Sequence, residues 1–375
     1  MSFALDEHLA YVADTVRIAR FKAAIGQVIK TGDCVADLGC GSGILGLLSL
    51  QAGAAHVHFI DDGAMIDIAR QTLARAGLSA KASFTQGRCQ HAVLPESVDA
   101  LVCDHVGFLG IDYGILNLLQ DARKRLLKPG GMLVPAGIRL HIAAIESAPC
   151  DTLANGWRAE SIPDEFHWLR DFAVNTRHAV NFKREEFIGT PATLARIDFL
   201  EEDREFLSWT TELRMERDGT VHGLGGWFEC ELAAGIWMTN SPLDEQPIKR
   251  CQAFLPIGEA VRVKAGDSVI ATLMARSSGD PLAWVVEFPA TGRRFKHSTW
   301  QGLTFSAAQQ GQSDPARVPV ANATGSARMI VLGYCDGRRS MLEIEQAVLL
   351  EHPALFPTTA EISRFVARVL NTDTQ

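Results

Sequence analysis

Three glycines at alternating positions lie between an apolar strand-like run and an apolar helix-like run near the start of the chain. They are Gly39, Gly41 and Gly43, and Asp37 stands two residues before the first of them. Glycine has no Cβ, so such a turn can bend sharply and let a ligand approach the main chain closely. The helix that follows directs its free N–H groups toward the same place. The pattern therefore predicts a site for a nucleotide-like ligand.

An acidic pair follows the next predicted strand and suits such a ligand. The strand Ala55–Ile60 leads directly to Asp61, which can accept hydrogen bonds from both hydroxyls of a ribose. Asp62 is adjacent, so either residue can hold that place. A dinucleotide fold would show G-x-G-x-x-G, whereas this chain has G-x-G-x-G. The variant resembles motif I of the class I S-adenosylmethionine methyltransferases, and this resemblance implies S-adenosylmethionine as the cofactor.

Strand and helix patterns alternate from the predicted strand before the glycine turn to Val134. Their alternation predicts a Rossmann-like, mostly parallel and doubly wound sheet, because each parallel strand needs a crossover helix. The segment Lys128-Pro129-Gly130-Gly131 is predicted to end the last helix and turn the chain back. The predicted strands are Cys34–Asp37, Ala55–Ile60, Ala82–Gln86, Ala100–Cys103 and Gly131–Val134, and the predicted helices are Ile44–Gln51, Ala64–Ala76 and Ile115–Leu127.

From Gly137 onward the alternation stops, and short strand-like runs are joined by turn residues. They predict an antiparallel β-barrel or sandwich domain over residues 137–305, after a Rossmann-like domain of residues 1–136. Residues 163–182 form a candidate helical arm, which either supports a homodimer or packs on its own barrel. Residues 306–326 are rich in Gln, Ser, Pro and Ala and are predicted to form a linker.

The last predicted unit covers residues 327–375. A strand is expected over Arg328–Leu332, and capping-box spacing at Ser340–Glu343 and Thr358–Glu361 predicts two helices, so the unit is expected to be winged-helix-like. Its similarity to PqqD-like elements, which bind leader peptides of ribosomally made precursors, rests on Leu332, Cys335-Asp336-Gly337 and Glu343-Ile344. The resemblance implies peptide capture by this module. A helical cap over the barrel or a dimer contact is the alternative.

Composition limits the classes of partner. The chain has 375 residues, 47% of them hydrophobic and 21% charged, which is typical of a globular protein with more than one domain. A formal charge of −8 and the lack of a Lys/Arg run disfavour nucleic acid. The eight cysteines show no metal-binding spacing, so we expect reduced thiols, neither metal nor disulfide, and a cytoplasmic location. No signal pattern or bilayer-spanning apolar run is present, and no membrane partner is expected.

Further residues resemble the protein arginine methyltransferases, in which a class I Rossmann-like domain precedes a β-barrel. Asp14–Phe21 is similar to that family's helix before motif I, which implies that Arg17 pairs with the methionine carboxylate of the cofactor. Gln86–Gln90 lies where the family binds adenine, which implies contacts from the Cys89 N–H and the Gln90 side chain. The expected cofactor-binding residues are Arg17, Asp37, Gly39, Gly41, Gly43, Asp61, Asp62, Cys89, Gln90 and Asp104.

The loop of residues 103–114 departs from that family, whose matching loop holds a substrate guanidinium between two glutamates. Asp104 stands in the place of the first glutamate and Tyr113 in the place of the second, with Asp112 beside it. A shorter acid and a phenol cannot form the same two-carboxylate clamp, so the acceptor nitrogen need not belong to arginine. The family's Thr-His-Trp loop is also unmatched, because the aligned stretch reads Pro247-Ile248-Lys249-Arg250-Cys251.

Four residues of this loop are candidates for catalysis. Asp104 can stabilise the positive charge that develops on an attacking nitrogen, and His105 can accept a proton near neutral pH. Asp112 and Tyr113 are the other two candidates. The alternative is structural: His105 is then a loop histidine without a role, Asp104 caps a turn, and Asp112 and Tyr113 shape the loop.

The resulting hypothesis is a methyltransferase that modifies a nitrogen of a peptide or protein, such as a ribosomally made precursor of a natural product. One alternative is a methyltransferase for a small natural product, with the C-terminal unit as a lid. Another is a non-catalytic peptide-binding protein that keeps its nucleotide pocket as a relic. Retention of Arg17, the glycine turn and Asp61 together disfavours that last alternative.

Overall fold

The computed structural model describes residues 2–279, 281–303 and 318–374. The chain divides into two compact units, Met1–Leu303 and Thr304–Gln375. Each unit has its own hydrophobic core, and no residue of one core belongs to the other. Each unit therefore buries its own apolar surface, the main favourable contribution to folding.

A five-stranded parallel sheet forms the first part of the larger unit, in the order β3-β2-β1-β4-β5. Its central strand is almost wholly buried, as expected when helices cover both faces of a parallel sheet. The predicted parallel sheet is confirmed, with bounds that differ by a few residues. The strands are β1 Cys34–Leu38, β2 His56–Asp61, β3 Ala82–Gln86, β4 Val98–Cys103 and β5 Leu127–Val134.

Five helices accompany this sheet. Asp14 caps the second of them, because its Oδ1 accepts a hydrogen bond from the N–H of Arg17 at 3.1 Å. The turn predicted at Lys128–Gly131 is wrong: these residues lie within β5, whose pairing with β4 shifts register there. The helices are α1 Ser2–Val12, α2 Thr15–Val28, α3 Ile44–Ala52, α4 Met65–Arg75 and α5 Ile115–Arg125.

Two antiparallel sheets follow, and they begin at Gly137. One has the order β7-β12-β10-β6-β8 with β11 paired to β10, and the other has the order β15-β14-β13-β9. Burial alternates along β13, as in a strand with one face on the core. The strands are β6 Gly137–Ile145, β7 His178–Val180, β8 Ala192–Asp198, β9 Phe206–Arg214, β10 Gly219–Ala233, β11 Ile236–Thr239, β12 Gln252–Val263, β13 Ser268–Arg276, β14 Leu282–Phe288 and β15 Arg293–Ser298.

The segment predicted as a helical arm contains only short helical pieces. A 3₁₀ helix spans Asp164–Leu169 and the helix α7 spans Arg170–Ala173, after the helix α6 at Ala148–Asn155. The end of the predicted arm is the strand β7 rather than a helix. Phe166 and Trp168 are 51% and 57% exposed, so this segment presents aromatic surface to solvent.

The second unit contains three helices in its described part: α8 Ala323–Gly333, α9 Met341–Glu351 and α10 Thr359–Asp373. The strand predicted over Arg328–Leu332 is wrong, because these residues lie within α8, which Asn322 caps. Both predicted capping boxes are present, at Ser340 with Glu343 and at Thr358 with Glu361. The winged-helix expectation is not confirmed, since the described residues 318–374 contain no strand.

The predicted linker, residues 306–326, lies partly outside the described residues, which resume at 318. Its last four residues, 323–326, form the start of α8. Across the described ranges no helix combines the length and apolarity that a bilayer crossing requires.

Candidate functional site

The glycine turn after β1 adopts the backbone that only glycine readily takes. Gly39, Gly41 and Gly43 have φ angles of +66°, +52° and +84°. A Cβ on Gly39 would overlap the imidazole of His105, and one on Gly41 would overlap His8. The N–H groups of Gly39 and the next residue both donate to the carbonyl of Ile60, at 2.8 and 3.0 Å, so the turn is pinned to β2.

A comparison of Gly39 with Gly77, which lies outside the turn, gives a stability prediction. Gly77 has the same left-handed backbone, with φ +70°, but a Cβ there meets no atom within 4 Å. We expect Gly77→Ala to lower the free energy of unfolding by about 1 kcal/mol, the usual strain of an L-residue in that region. Gly39→Ala should cost roughly 1–2 kcal/mol more, because the methyl group also displaces the His105 ring.

Urea unfolding of the single variants and of the double variant Gly39→Ala/His105→Ala measures this difference. If the ring is the obstacle, the double variant recovers the excess cost relative to His105→Ala alone. Equal losses for Gly39→Ala and Gly77→Ala would contradict the close approach of His105 to the turn.

Asp61 ends β2 and closes the turn on its other side. Its Oδ2 accepts a hydrogen bond from the N–H of Gly41 at 2.7 Å, and its Oδ1 accepts one from Gly63 at 2.7 Å. An ionised carboxylate has about four lone-pair sites, so two bonds leave capacity for hydroxyl groups of a ligand. Asp62 is exposed beside it. Of the two acids, Asp61 is therefore the one held against the glycine turn.

Asp37 lies at the floor of the turn and is almost wholly buried. Its Oδ2 accepts a hydrogen bond from the N–H of Gly46 at 2.8 Å, which ties β1 to the start of α3. Burial raises the pKa of Asp37 to about 7, although the bond from Gly46 opposes the rise. Asp37 lines the site, and its hydrogen bond holds the helix whose N-terminus faces the site.

Two adjoining cavities surround the glycine turn. The larger has a volume of about 590 Å³ and contains Asp62, Cys89 and Gln90 in its wall. The smaller has a volume of about 250 Å³ and contains Arg17 and Asp104. The walls of both share Gly39, Asp61, His105 and Tyr113. The junction of the cavities is therefore lined by the turn, one carboxylate, one imidazole and one phenol.

The larger cavity suits the adenosine end of the expected cofactor. Cys89 and Gln90 lie in a 3₁₀ turn after β3, and the Cys89 side chain is buried. Burial raises the pKa of the Cys89 thiol to about 11, so it is neutral at physiological pH. The structure thus brings Cys89 and Gln90 together with Asp61 in the wall of one cavity.

Arg17 and Asp104 form a buried ion pair in the smaller cavity, with side chains 6% and 8% exposed. Arg17 projects from the first turn of α2, and its Nη1 also donates to the carbonyl of Tyr11 at 3.2 Å. Its guanidinium carbon lies 4.6 Å from the centre of the Tyr11 ring. The pKa of Arg17 is lowered to about 10, first by burial and then by the nearby charge of Arg250.

His105 and Tyr113 supply the two ring side chains that line both cavities. Burial lowers the pKa of His105 below its ordinary value, and the opposing charges of Asp61 and Asp62 do not reverse this. The imidazole is therefore neutral at physiological pH. Tyr113 is 45% exposed and makes an edge contact with Phe108, with ring centres 5.7 Å apart.

Asp112 lies outside both cavities and holds the loop instead. Its carboxylate accepts hydrogen bonds from the N–H groups of Phe108, Leu109 and Gly110 at 3.0–3.1 Å. It also pairs with Arg177 at 3.0 Å, and its side chain is fully buried. The structure does not bring Asp112 to the other catalytic candidates, because its lone pairs face the loop backbone rather than the site.

Two residues that line or flank the smaller cavity were missed from the sequence. Tyr11 lies on α1 three residues after His8, a spacing that places both on one helix face and was the available signal. Arg250 lies in the stretch Pro247–Cys251 that aligns with the family's Thr-His-Trp loop, but local spacing does not show that this stretch approaches α1, because the contact is long-range. Among the described residues no group of three or more His, Cys, Asp or Glu side chains is arranged to hold a metal ion.

The chain was compared with known proteins. Residues 35–131 match a family model described as a methyltransferase domain. The chain is 27% identical over 271 residues to protein arginine N-methyltransferase 6 of Xenopus laevis, which covers 68% of this chain and 79% of that protein. It is 28% identical over 270 residues to the arginine N(omega)-methyltransferase of Streptomyces achromogenes subsp. streptozoticus, covering 70% and 74%.

The fold is similar to that of the Trypanosoma brucei PRMT1 enzyme–prozyme heterotetrameric complex with AdoHcy. The TM-score is 0.70 at 20% sequence identity, and the match covers 78% of this chain and 96% of that one. The combination of a parallel sheet with antiparallel sheets therefore corresponds to a known architecture.

Proposed function

Given that the chain is an S-adenosylmethionine-dependent methyltransferase, we propose that it transfers the methyl group to a nitrogen of a peptide or protein substrate. The observation that carries this proposal is the junction of the two cavities at Gly39, Asp61, His105 and Tyr113. A nucleophile that reaches the junction would meet a neutral imidazole and a phenol. The arginine N-methyltransferases among the similar proteins support nitrogen as the acceptor atom.

In the proposed arrangement the larger cavity holds the adenosine, with Asp61 at the ribose and Cys89 and Gln90 at the adenine. The smaller cavity holds the amino-acid end, next to Arg17 and the turn of Gly39, Gly41 and Gly43. The size of the two cavities and the left-handed glycines, where a side chain would fill the space, support this assignment. When bound, the cofactor supplies a methyl group made electrophilic by a positively charged sulfur.

His105, Tyr113 and Asp104 are the proposed residues on the acceptor side. His105 accepts the proton that the nitrogen loses when its lone pair forms the bond to carbon. Asp104 offers negative charge near the nitrogen, and Tyr113 borders its approach. Asp112 is a positioning residue in this proposal, because it holds the loop that carries His105 and Tyr113.

The proposal includes acceptor nitrogens that belong to peptide residues other than arginine. Both acids of the loop are already paired, Asp104 with Arg17 and Asp112 with Arg177. The loop therefore does not offer two free carboxylates that could pair with the guanidinium of a substrate arginine.

The second unit is proposed to bind the peptide, and a ribosomally made precursor of a natural product is the proposed kind of peptide. The turn between α8 and α9 has a fixed conformation, which supports its use as a binding surface. Asp336 accepts hydrogen bonds from the N–H groups of Arg338 and Arg339 at 2.9 and 3.1 Å, and Gly337 has a left-handed backbone. A cytoplasmic location is proposed because all eight cysteines are free thiols. A homodimer is proposed on the exposed aromatic surface of Phe166 and Trp168.

Transfer of radioactive methyl from labelled S-adenosylmethionine into fractions of a bacterial lysate tests the proposal. We expect label in the polypeptide fraction for the intact chain. Removal of residues 304–375 should reduce that label at least tenfold while leaving S-adenosylhomocysteine affinity within twofold, because each unit has its own core. Label in the small-molecule fraction that survives the deletion would favour a natural-product methyltransferase, and binding without any transfer would favour a non-catalytic protein.

A further inference from the structure

A second guanidinium, that of Arg250, flanks the smaller cavity. Its guanidinium carbon lies 5.3 Å from the centre of the Tyr11 ring, and that of Arg17 lies 4.6 Å from the same centre. Tyr11 forms part of the cavity wall, and its hydroxyl donates to Glu7 at 3.2 Å. The two cations thus share one phenol ring at the edge of this cavity.

The two arginines differ in their partners. Arg17 is paired with the buried Asp104, although its Nε is also buried without a hydrogen-bond partner. Arg250 has no ion pair with any described residue, and its Nη1 is buried without a hydrogen-bond partner. A buried donor without a partner is costly, and one on a cation is especially so. Such a group adjacent to a cavity indicates that a negative charge is missing from its surroundings.

The pairing of Arg17 makes a second cation necessary for an anionic ligand. At 4 Å and an effective dielectric constant of 20, two unit charges interact by about 4 kcal/mol. A carboxylate that enters the smaller cavity is attracted by Arg17 and repelled by Asp104, and these two contributions largely cancel at similar distances. The charge of Arg250 adds a second cation beside a cavity whose wall also contains Glu7, Asp61 and Asp104.

We propose that Arg250 is a positioning residue for the cofactor and that it holds, together with Arg17, the carboxylate at the amino-acid end. The inference rests on the proposed placement of that end in the smaller cavity. Arg250 acts through its charge from beside the Tyr11 ring. Burial is the larger cause of the lowered pKa of His105 at the junction, and the charge of Arg250 lowers that pKa further.

Calorimetric titration with two ligands tests this role. S-adenosylhomocysteine carries the carboxylate, and 5′-methylthioadenosine has the same adenosine and sulfur but lacks the amino-acid end. We expect Arg250→Gln to weaken S-adenosylhomocysteine at least tenfold and 5′-methylthioadenosine less than twofold. Arg250→Lys keeps the charge and should lose less than Arg250→Gln. Lys249→Gln, a neighbouring exposed residue with the same charge change, should leave both affinities within twofold.

Unchanged affinity of Arg250→Gln for S-adenosylhomocysteine would overturn the inference, and so would an equal loss for both ligands. If Arg250→Gln does not fold, the ratio of the two affinities in Arg250→Met, which also removes the charge, decides: a selective loss for S-adenosylhomocysteine supports the role and an unchanged ratio overturns it. Increasing salt should weaken S-adenosylhomocysteine more in the wild type than in Arg250→Gln. Failure of the wild type to bind S-adenosylhomocysteine is a different result, which would refute the proposed cofactor site itself.

Discussion

Replacement of Asp61 by alanine is expected to weaken S-adenosylhomocysteine binding roughly 100-fold, equivalent to about 2.7 kcal/mol. The carboxylate accepts hydrogen bonds from the N–H groups of Gly41 and Gly63, and Asp61 lines the larger cavity. A hydrogen bond to a charged group contributes about 1.5–3 kcal/mol, and the substitution removes such bonds to the ribose as well as the support of the turn. Calorimetric titration measures the loss.

Asp62→Ala is the matched control, because it removes the same group one residue away. Asp62 is exposed, so its variant should bind S-adenosylhomocysteine within threefold of the wild type. A larger effect at Asp62 than at Asp61 would show that the ribose is held by the second acid. Asp61→Asn should fall between wild type and Asp61→Ala, since it retains one acceptor oxygen.

Replacement of His105 by glutamine is expected to lower the methyl-transfer rate roughly 100-fold, the lower end of what a positioned acid or base contributes. Glutamine keeps polarity and similar size but cannot accept a proton at neutral pH. The affinity for S-adenosylhomocysteine should stay within threefold, because Arg17, Asp61 and the glycine turn are unaltered. The rate is measured with the acceptor that the labelling experiment identifies.

The pH profile separates a base from a merely structural histidine. Burial lowers the pKa of His105, so the imidazole is neutral at pH 7 and becomes protonated only as the pH falls below about 6.5, the ordinary histidine value. Protonation removes the base, so the wild-type rate should decline as the pH falls through that lowered pKa, and His105→Gln should lack this decline. His91→Gln, at an exposed histidine of the larger cavity, should keep the wild-type profile. An acid decline that persists in His105→Gln would exclude the proposed role.

Local sequence was sufficient for the parallel sheet and for the end of the sheet where the two cavities lie. Alternating glycines after β1 need left-handed backbone, and the acid after β2 must lie beside them, because the carboxyl ends of neighbouring parallel strands share one edge. The capping boxes at Ser340 and Thr358 are also local, since each depends on residues three positions apart.

Local sequence failed where a segment's partners decided its structure. Arg328–Leu332 has strand-like residues, yet it lies in a helix because its apolar face, including Val331, packs against α9 and α10. Gly130 and Gly131 lie in β5 because pairing with β4 can absorb a register shift there. Propensity is a weak preference that tertiary contacts override.

The sequence by itself determined the glycine turn, the acid at the end of β2 and the place of Arg17 at the first turn of α2. Only the tertiary structure decided which charged side chains around the site are paired with one another. It paired Asp104 with Arg17, enclosed Asp112 in loop N–H groups beside Arg177, and brought Arg250, which has no ion pair among the described residues, to Tyr11, 239 residues earlier in the chain. The physical reason is that charge balance depends on distance in space and on the exclusion of water, and neither is encoded in local spacing.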